Sequence, residues 1–322
     1  MRHEAQSRAP LAVLAVLAVV ALVAIVCFMT LGARGSWSFV LAFRGLKLAA
    51  LVLIATAIAI STVLFQTITG NRILTPSIMG FDALYALVQT VLVFLIGAGA
   101  ASGVDPRLMF AGNVIVMVLF SLILYRFLFS GGTRSLHLLM LVGIVFGVFF
   151  RSISGFLQRI IDPNDFVVLQ DRLFASFNTV DTSLLGIATG GMVLVGLAMI
   201  RYFHTFDVLS LGREAAITLG VDYRHVTTAI LVMVAVLVSI STALVGPVTF
   251  FGLLVANLAY LVMPSGKHRH ILPAAVLIAI VTLVGGQVVL ERVFAFDTAL
   301  SVVIEFAGGL FFILYLVKGG SR

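Results

Sequence analysis

Apolar runs of about 17–22 residues alternate with short polar clusters along this whole chain, and each run is long enough to cross a hydrocarbon core of about 30 Å as a helix. The runs are Pro10–Leu31, Leu46–Phe65, Ile78–Gly97, Leu108–Phe127, Leu136–Phe150, Ser183–Phe203, Val226–Val245, Pro247–Met263, Ile271–Leu290 and Thr298–Val317. The pattern predicts an all-α integral membrane protein of about ten transmembrane helices forming one domain over residues 1–322. Barrel strands, which alternate over about ten residues, do not fit runs of this kind. Only Gly246-Pro247 separates the seventh run from the eighth, so that pair is either a tight re-entrant hairpin or a broken helix. The fifth run stops early at Arg151, and continuing it through Ser154-Gly155 requires a protein-lined environment. The first run exceeds the 7–15 residues of a signal-peptide core and reads as a retained helix.

Two connections are longer than a hairpin needs. Residues 156–182 carry Asp162-Pro163-Asn164-Asp165 and predict an external loop with a short helix. Residues 205–225 contain Leu211 to Gly220, a short charged segment closed by a glycine stop, which predicts a helix lying at the membrane surface. Its length and charge rule out a span and suit a docking element for a soluble partner. Within the spans, Gly143/Gly147, Gly186/Gly190, Gly285-Gly286 and Gly308-Gly309 are small-residue pairs of the kind that lets helices approach closely.

Composition agrees with the pattern. The 322 residues are 61% hydrophobic and 10% charged, well below the roughly 25% charge of soluble domains. The net charge of +7 belongs to loops at the positive side of a membrane, and no basic stripe interleaved with aromatics supports nucleic-acid binding. With an inside N-terminus, twelve of the 20 Lys and Arg fall inside and eight outside, which predicts both termini in the cytoplasm. The one cysteine, Cys27, can form no intrachain disulfide and reads as a packing residue of the first span.

Several chemistries are missing. No metal-ligand spacing occurs, and His268 and His270 read as solvated members of a basic loop around Arg269. No GxxxxGK[ST] motif is present, so ATP hydrolysis by a P-loop is excluded. No metal or organic cofactor is expected. Glu305 is the one clear carboxylate within a span, with either a structural hydrogen-bonding role or a role in a pathway.

The surface segment carries a resemblance. Leu211-Gly212-x-x-Ala215-x-x-Leu219-Gly220-Val221 is similar to the coupling-helix motif of FecCD-type permeases, the membrane subunits of bacterial ABC importers for iron–siderophores, haem and cobalamin. Three further regions agree in order. Ser61-x-x-x-x-Gln66 with Asn71-x-x-x-x-Pro76-x-x-x-Gly80 resembles the family's segment after the second helix. Gly246-Pro247-x-x-Phe250-x-Gly252-Leu253 resembles its Gly-x-x-x-Phe-x-Gly-Leu segment. Phe296 to Ser301, through Gly308-Gly309, resembles its last helix. Arg72-Ile73, Val255-Ala256-Asn257 and Asp297-Thr298 depart from the family pattern and resemble a divergent, ferric catecholate-siderophore branch.

The resemblance implies a type II ABC importer permease in a bacterial inner membrane. It would pair with a second copy or a paralogous permease, a cytoplasmic ATPase dimer and an extracytoplasmic binding protein, within membrane lipid. Leu211, Gly212, Ala215, Ile217, Leu219 and Gly220 would meet the ATPase. Arg44, Lys47 and Arg292 would meet acidic residues of the binding protein, the plainer reading being lipid-phosphate anchoring. Gln66, Asn71, Pro76 and Glu305 would serve the pathway or its framework. An ion- or proton-coupled secondary transporter is the alternative, and it predicts clustered charges at the membrane midplane.

Overall fold

The structure is a computed structural model that describes residues 2–32, 36–129, 136–175, 177, 181–293 and 300–319. Arg34, Arg134 and the Phe296–Ala299 portion of the last-helix motif lie outside the described residues. Twelve helices form the described chain: α1 (Arg2–Thr30), α2 (Trp37–Thr69), α3 (Phe81–Ser102), α4 (Pro106–Phe129), α5 (Leu136–Gln158), α6 (Pro163–Leu173), α7 (Leu185–Leu209), α8 (Arg213–Thr218), α9 (Tyr223–Val245), α10 (Phe251–Val262), α11 (His268–Arg292) and α12 (Leu300–Gly319). Eight of them are long and apolar enough to cross a membrane, and α10 and the described apolar part of α12 are shorter apolar helices. The protein is therefore an all-α membrane protein of about ten membrane-embedded helices.

Helices α2, α9 and α11 form the centre, flanked by α1, α7, α10 and α4. The central α2 and α9 are buried over 67% of their apolar windows, against 11% for α1 and 22% for both α5 and α7. Apolar side chains of the outer helices, such as Leu194, Leu197 and Ile200 of α7, therefore face lipid or another chain. At the end opposite α8, the short helix expected within residues 156–182 is α6, capped by Asp162, whose side chain accepts from the Asn164 N–H at 2.8 Å. Its Leu169 packs with Val93, Ala98 and Ala101 beside a break in α3 at Gly97.

Span edges differ from the sequence expectation where a helix outruns its apolar run. At 33 residues, α2 is about 50 Å long and must project beyond the hydrocarbon core. Helix α5 continues seven residues past Arg151, which places that arginine inside the helix rather than in an outer loop. The seventh and eighth runs make a broken helix. The chain leaves α9 at Gly246 with φ 91° and starts α10 five residues later. The 12 residues of α10 rise only about 18 Å, so the helix spans half the membrane.

The small-residue pairs divide. A Cβ on Gly143 would stand 2.8 Å from the Met79 backbone, so α5 and the turn before α3 touch through glycine. Gly186 and Gly190 meet nothing within 4 Å, and that face of α7 packs on no other part of the described chain.

Candidate functional site

Two motifs far apart in sequence meet at membrane depth. After α2 ends, the chain turns at Gly70, climbs back beside α2 and makes a short 3₁₀ turn at Pro76–Met79 before α3 begins. Pro76 opens that turn from a buried position, where its missing N–H leaves no donor unsatisfied. The other break, residues 246–250, stands against it. Ser61 and Thr62 of α2, Thr75 and Ser77 of the first break, Thr249 of the second and Gly252 at the start of α10 line one small cavity. Contact there is close: a Cβ on Gly252 would come within 2.3 Å of Thr62 Oγ1. Non-helical backbone at this depth is tolerated only where it is buried in protein or borders water.

Beside the seam opens a chamber of about 290 Å³. Asp82 of α3, Arg151 of α5 and Glu305 of α12 line it, together with Thr249 and Ser301. No contact ion pair joins the three charges among the described residues, and Asp82 Oδ1 is buried there without a hydrogen-bond partner. Arg151 is exposed although it sits within an apolar helix. A charged side chain at the bilayer centre costs about 2.5–3.5 kcal/mol even on the mildest scale, so an exposed arginine in this helix suits a polar pathway, a protein partner or the headgroup level. A second cavity, of about 230 Å³, lies across Phe174 and is lined by Gln89, Asp171 and Arg172. Glu305 is thus one of three chamber charges. Asp82 and Arg151 were missed because the first adjoins a break and the second ends an apolar run.

The remaining pathway candidates frame the first break instead. Gln66 is buried, and its Nε2 donates to the Arg72 carbonyl at 2.7 Å. Asn71 Oδ1 accepts from the Ile73 N–H at 2.9 Å, an exposed local turn. Asn257 Nδ2 also donates to the Arg72 carbonyl, at 3.0 Å, and the Arg72 guanidinium lies 4.5 Å from the Tyr260 ring centroid. Two departures from the family pattern, Arg72 and Asn257, therefore touch one another. His268 and His270 correct the sequence reading: both are buried at the start of α11, 2% and 7% exposed, rather than solvated in a loop. Among the described residues no group of three or more His, Cys, Asp or Glu could hold a metal ion.

At one end of the molecule α8 forms a knuckle between α7 and α9. Gly212, at φ 96°, and Gly220, at φ 83°, bracket it in conformations that disfavour a Cβ. Ala216 is fully buried against the stem, Ala215 is half-buried, and Leu211, Ile217 and Leu219 are 65%, 50% and 62% exposed. Three large apolar side chains therefore stand exposed on this short turn.

At the opposite end the three candidate docking cations are engaged inside the chain. Arg44 donates to the Leu31 carbonyl at 3.0 Å and to the Phe28 carbonyl, and Arg292 also donates to the Leu31 carbonyl. Arg44 therefore caps the last turn of α1, whose carbonyls lack helical partners, and both arginines hold the residue that follows it. Lys47 Nζ lies 3.1 Å from Glu291 Oε1, and Arg44 lies 3.9 Å from Glu291 Oε2.

A half-length helix, a surface knuckle and a charged chamber are thus built into one bundle of membrane helices, the architecture of a membrane transport protein. The FecCD transport family matches residues 10–318, and the chain belongs to that family. It is 51% identical to the petrobactin import system permease protein YclO of Bacillus subtilis (strain 168), over 88% of this chain and 90% of that protein. It is 38% identical to the petrobactin import system permease protein FatC of Bacillus anthracis, over 85% of this chain and 78% of that protein. A solved structure of a metal-chelate type ABC transporter in an inward-facing conformation shares the fold, with a TM-score of 0.83, 19% identity and coverage of 96% of this chain and 99% of that one. These relationships support a permease and not the secondary-transporter alternative.

Proposed function

We propose that this chain is the pathway-forming permease of an importer for a ferric siderophore, with petrobactin-type cargo the first to test. The relatives named for petrobactin import support the cargo class. The α8 knuckle would dock one subunit of a cytoplasmic ATPase dimer, which places the α8 end in the cytoplasm of a bacterial inner-membrane protein. A binding protein would deliver cargo at the opposite end. A second permease, identical or paralogous, would cover the α5 and α12 faces beside the chamber, and lipid would cover the rest.

One observation carries the reading: Leu211, Ile217 and Leu219 stand exposed on a turn rooted by buried Ala216. Such a turn offers apolar contact outward while its root fixes it to α7 and α9, so force applied to it reaches the membrane helices. Replacing half-buried Ala215 with Glu inserts a charge into that contact and leaves every span intact. We expect loss of the ATPase on purification and loss of ferric petrobactin uptake, with the permease still inserted. Retention of both in Ala215→Glu defeats the coupling assignment.

A further inference from the structure

A polar chain, buried at His268 and Thr67 and half-exposed at Asp207, links the stem of α8 to the seam. Asp207 lies in the last turn of α7, six residues before α8 begins. Its Oδ1 accepts from the backbone N–H of His268 at 2.8 Å and lies 2.7 Å from His268 Nδ1. The other ring nitrogen, Nε2, lies 2.7 Å from Thr67 Oγ1 in the last turns of α2. A carboxylate only accepts, so Nδ1 carries a proton in either charge state of the ring. The imidazole therefore bridges α7 and α2 while its own backbone begins α11.

The surroundings make this bridge stiff. His268 is 2% exposed, and its ring stands edge-on to Phe206 at 5.8 Å between centroids. Ser210 Oγ donates to the Asp207 carbonyl at 2.6 Å, tying the approach to α8 onto the same residue. Thr67 adjoins Gln66, which holds the Arg72 carbonyl, and follows Thr62, the side chain pressed against Gly252. One stretch of α2 thus receives the bridge, holds the start of the first break and contacts the second. Among the described residues, side-chain hydrogen bonds between α7 and either α2 or α11 run only through this chain.

We propose that His268 is a positioning residue for transport: through Asp207 and Thr67 it transmits displacement of α8 to the turn of α2 that sets the seam. Packing joins α7 to α9 and α9 to α2 along the bundle. The bridge adds a directional polar link at the α8 end, where the knuckle attaches. The inference rests on α8 being the ATPase-docking element, and the test separates the two.

The experiment uses the full importer in proteoliposomes and reads ferric petrobactin transported per ATP hydrolysed, alongside ATPase retention. His268→Ala, Asp207→Ala and Thr67→Val should each keep the ATPase bound and hydrolysing. Transport per ATP should fall by about tenfold, the scale of one hydrogen bond to a charged group. Asp207→Asn, which can still accept from the ring, should restore most of the ratio. The double variant of His268→Ala with Thr67→Val should be no worse than His268→Ala alone, because both cut one chain. A wild-type ratio in His268→Ala, or loss of its ATPase, overturns the proposal. If His268→Ala does not fold, Thr67→Val decides: a lowered ratio supports the bridge and an unchanged one refutes it. Ala215→Glu reads α8 itself. An ATPase retained there defeats the docking assignment, whereas an ATPase lost there beside a fully coupled Thr67→Val defeats the bridge alone.

Discussion

Gly252 faces a neighbour so close that a single methyl group tests the seam. Thr62 Oγ1 occupies the space a Cβ would need, and Ile58 closes another side at 3.2 Å. Gly252→Ala should destabilise the protein by about 1–3 kcal/mol through overpacking and lower its melting temperature in detergent. An unshifted melting curve means that α10 can slide away from α2. The chamber charges answer to a different measurement. Arg151→Gln leaves Asp82 and Glu305 without the cation that shares their cavity, and should reduce cargo uptake while ATPase binding stays intact. The paired Arg151→Gln, Glu305→Gln variant should recover part of that uptake, because net charge returns toward its original value. Uptake equal to wild type in Arg151→Gln would place the chamber off the pathway.

At the scale of helices, the far end offers two roles for the same cations. Arg44 donates to carbonyls at the end of α1 and also faces Glu291 on α11. A docking surface alone would allow its removal without loss of stability. The capping contacts predict otherwise: Arg44→Ala should lower thermal stability by about 1.5–3 kcal/mol even with no binding protein present. Charge reversal of Lys47 and Arg292 together should weaken binding-protein association most at low salt, since exposed pairs are screened over about 10 Å at 0.1 M. Equal binding of that double variant at low salt would leave the cations a purely structural role.

Helix existence was legible throughout because long apolar runs admit little else. Helix ends were not: α2 begins nine residues before its apolar run and α5 ends eight residues after its own. The motif glycines marked both breaks, but sequence could not tell that the breaks touch. His268 was hidden more thoroughly. Lys267 and Arg269 flank it and give the segment the polarity of a loop, while its acceptor Asp207 lies 61 residues away. Glu305 was visible as a lone intramembrane carboxylate, whereas Asp82 and Arg151 become its neighbours only in the folded chain.

Across the whole molecule, the proposed orientation puts α8 and α6 on opposite sides of the membrane. A membrane-impermeant thiol reagent applied to intact spheroplasts should label a cysteine at Asp165 of α6 and spare one at Ser210, beside α8. The reverse pattern inverts the topology. The half-length of α10 also bears on how the chamber holds its charges. Both α10 and α3 begin at membrane depth next to it, with Thr249 just before one and Asp82 in the first turn of the other. Each helix start carries about half a positive charge from its aligned peptide dipoles. Two such ends together offset about one carboxylate, and Arg151 offsets the second. The two acidic side chains of the chamber thus face two helix starts and one guanidinium, so groups of both signs line it in comparable measure.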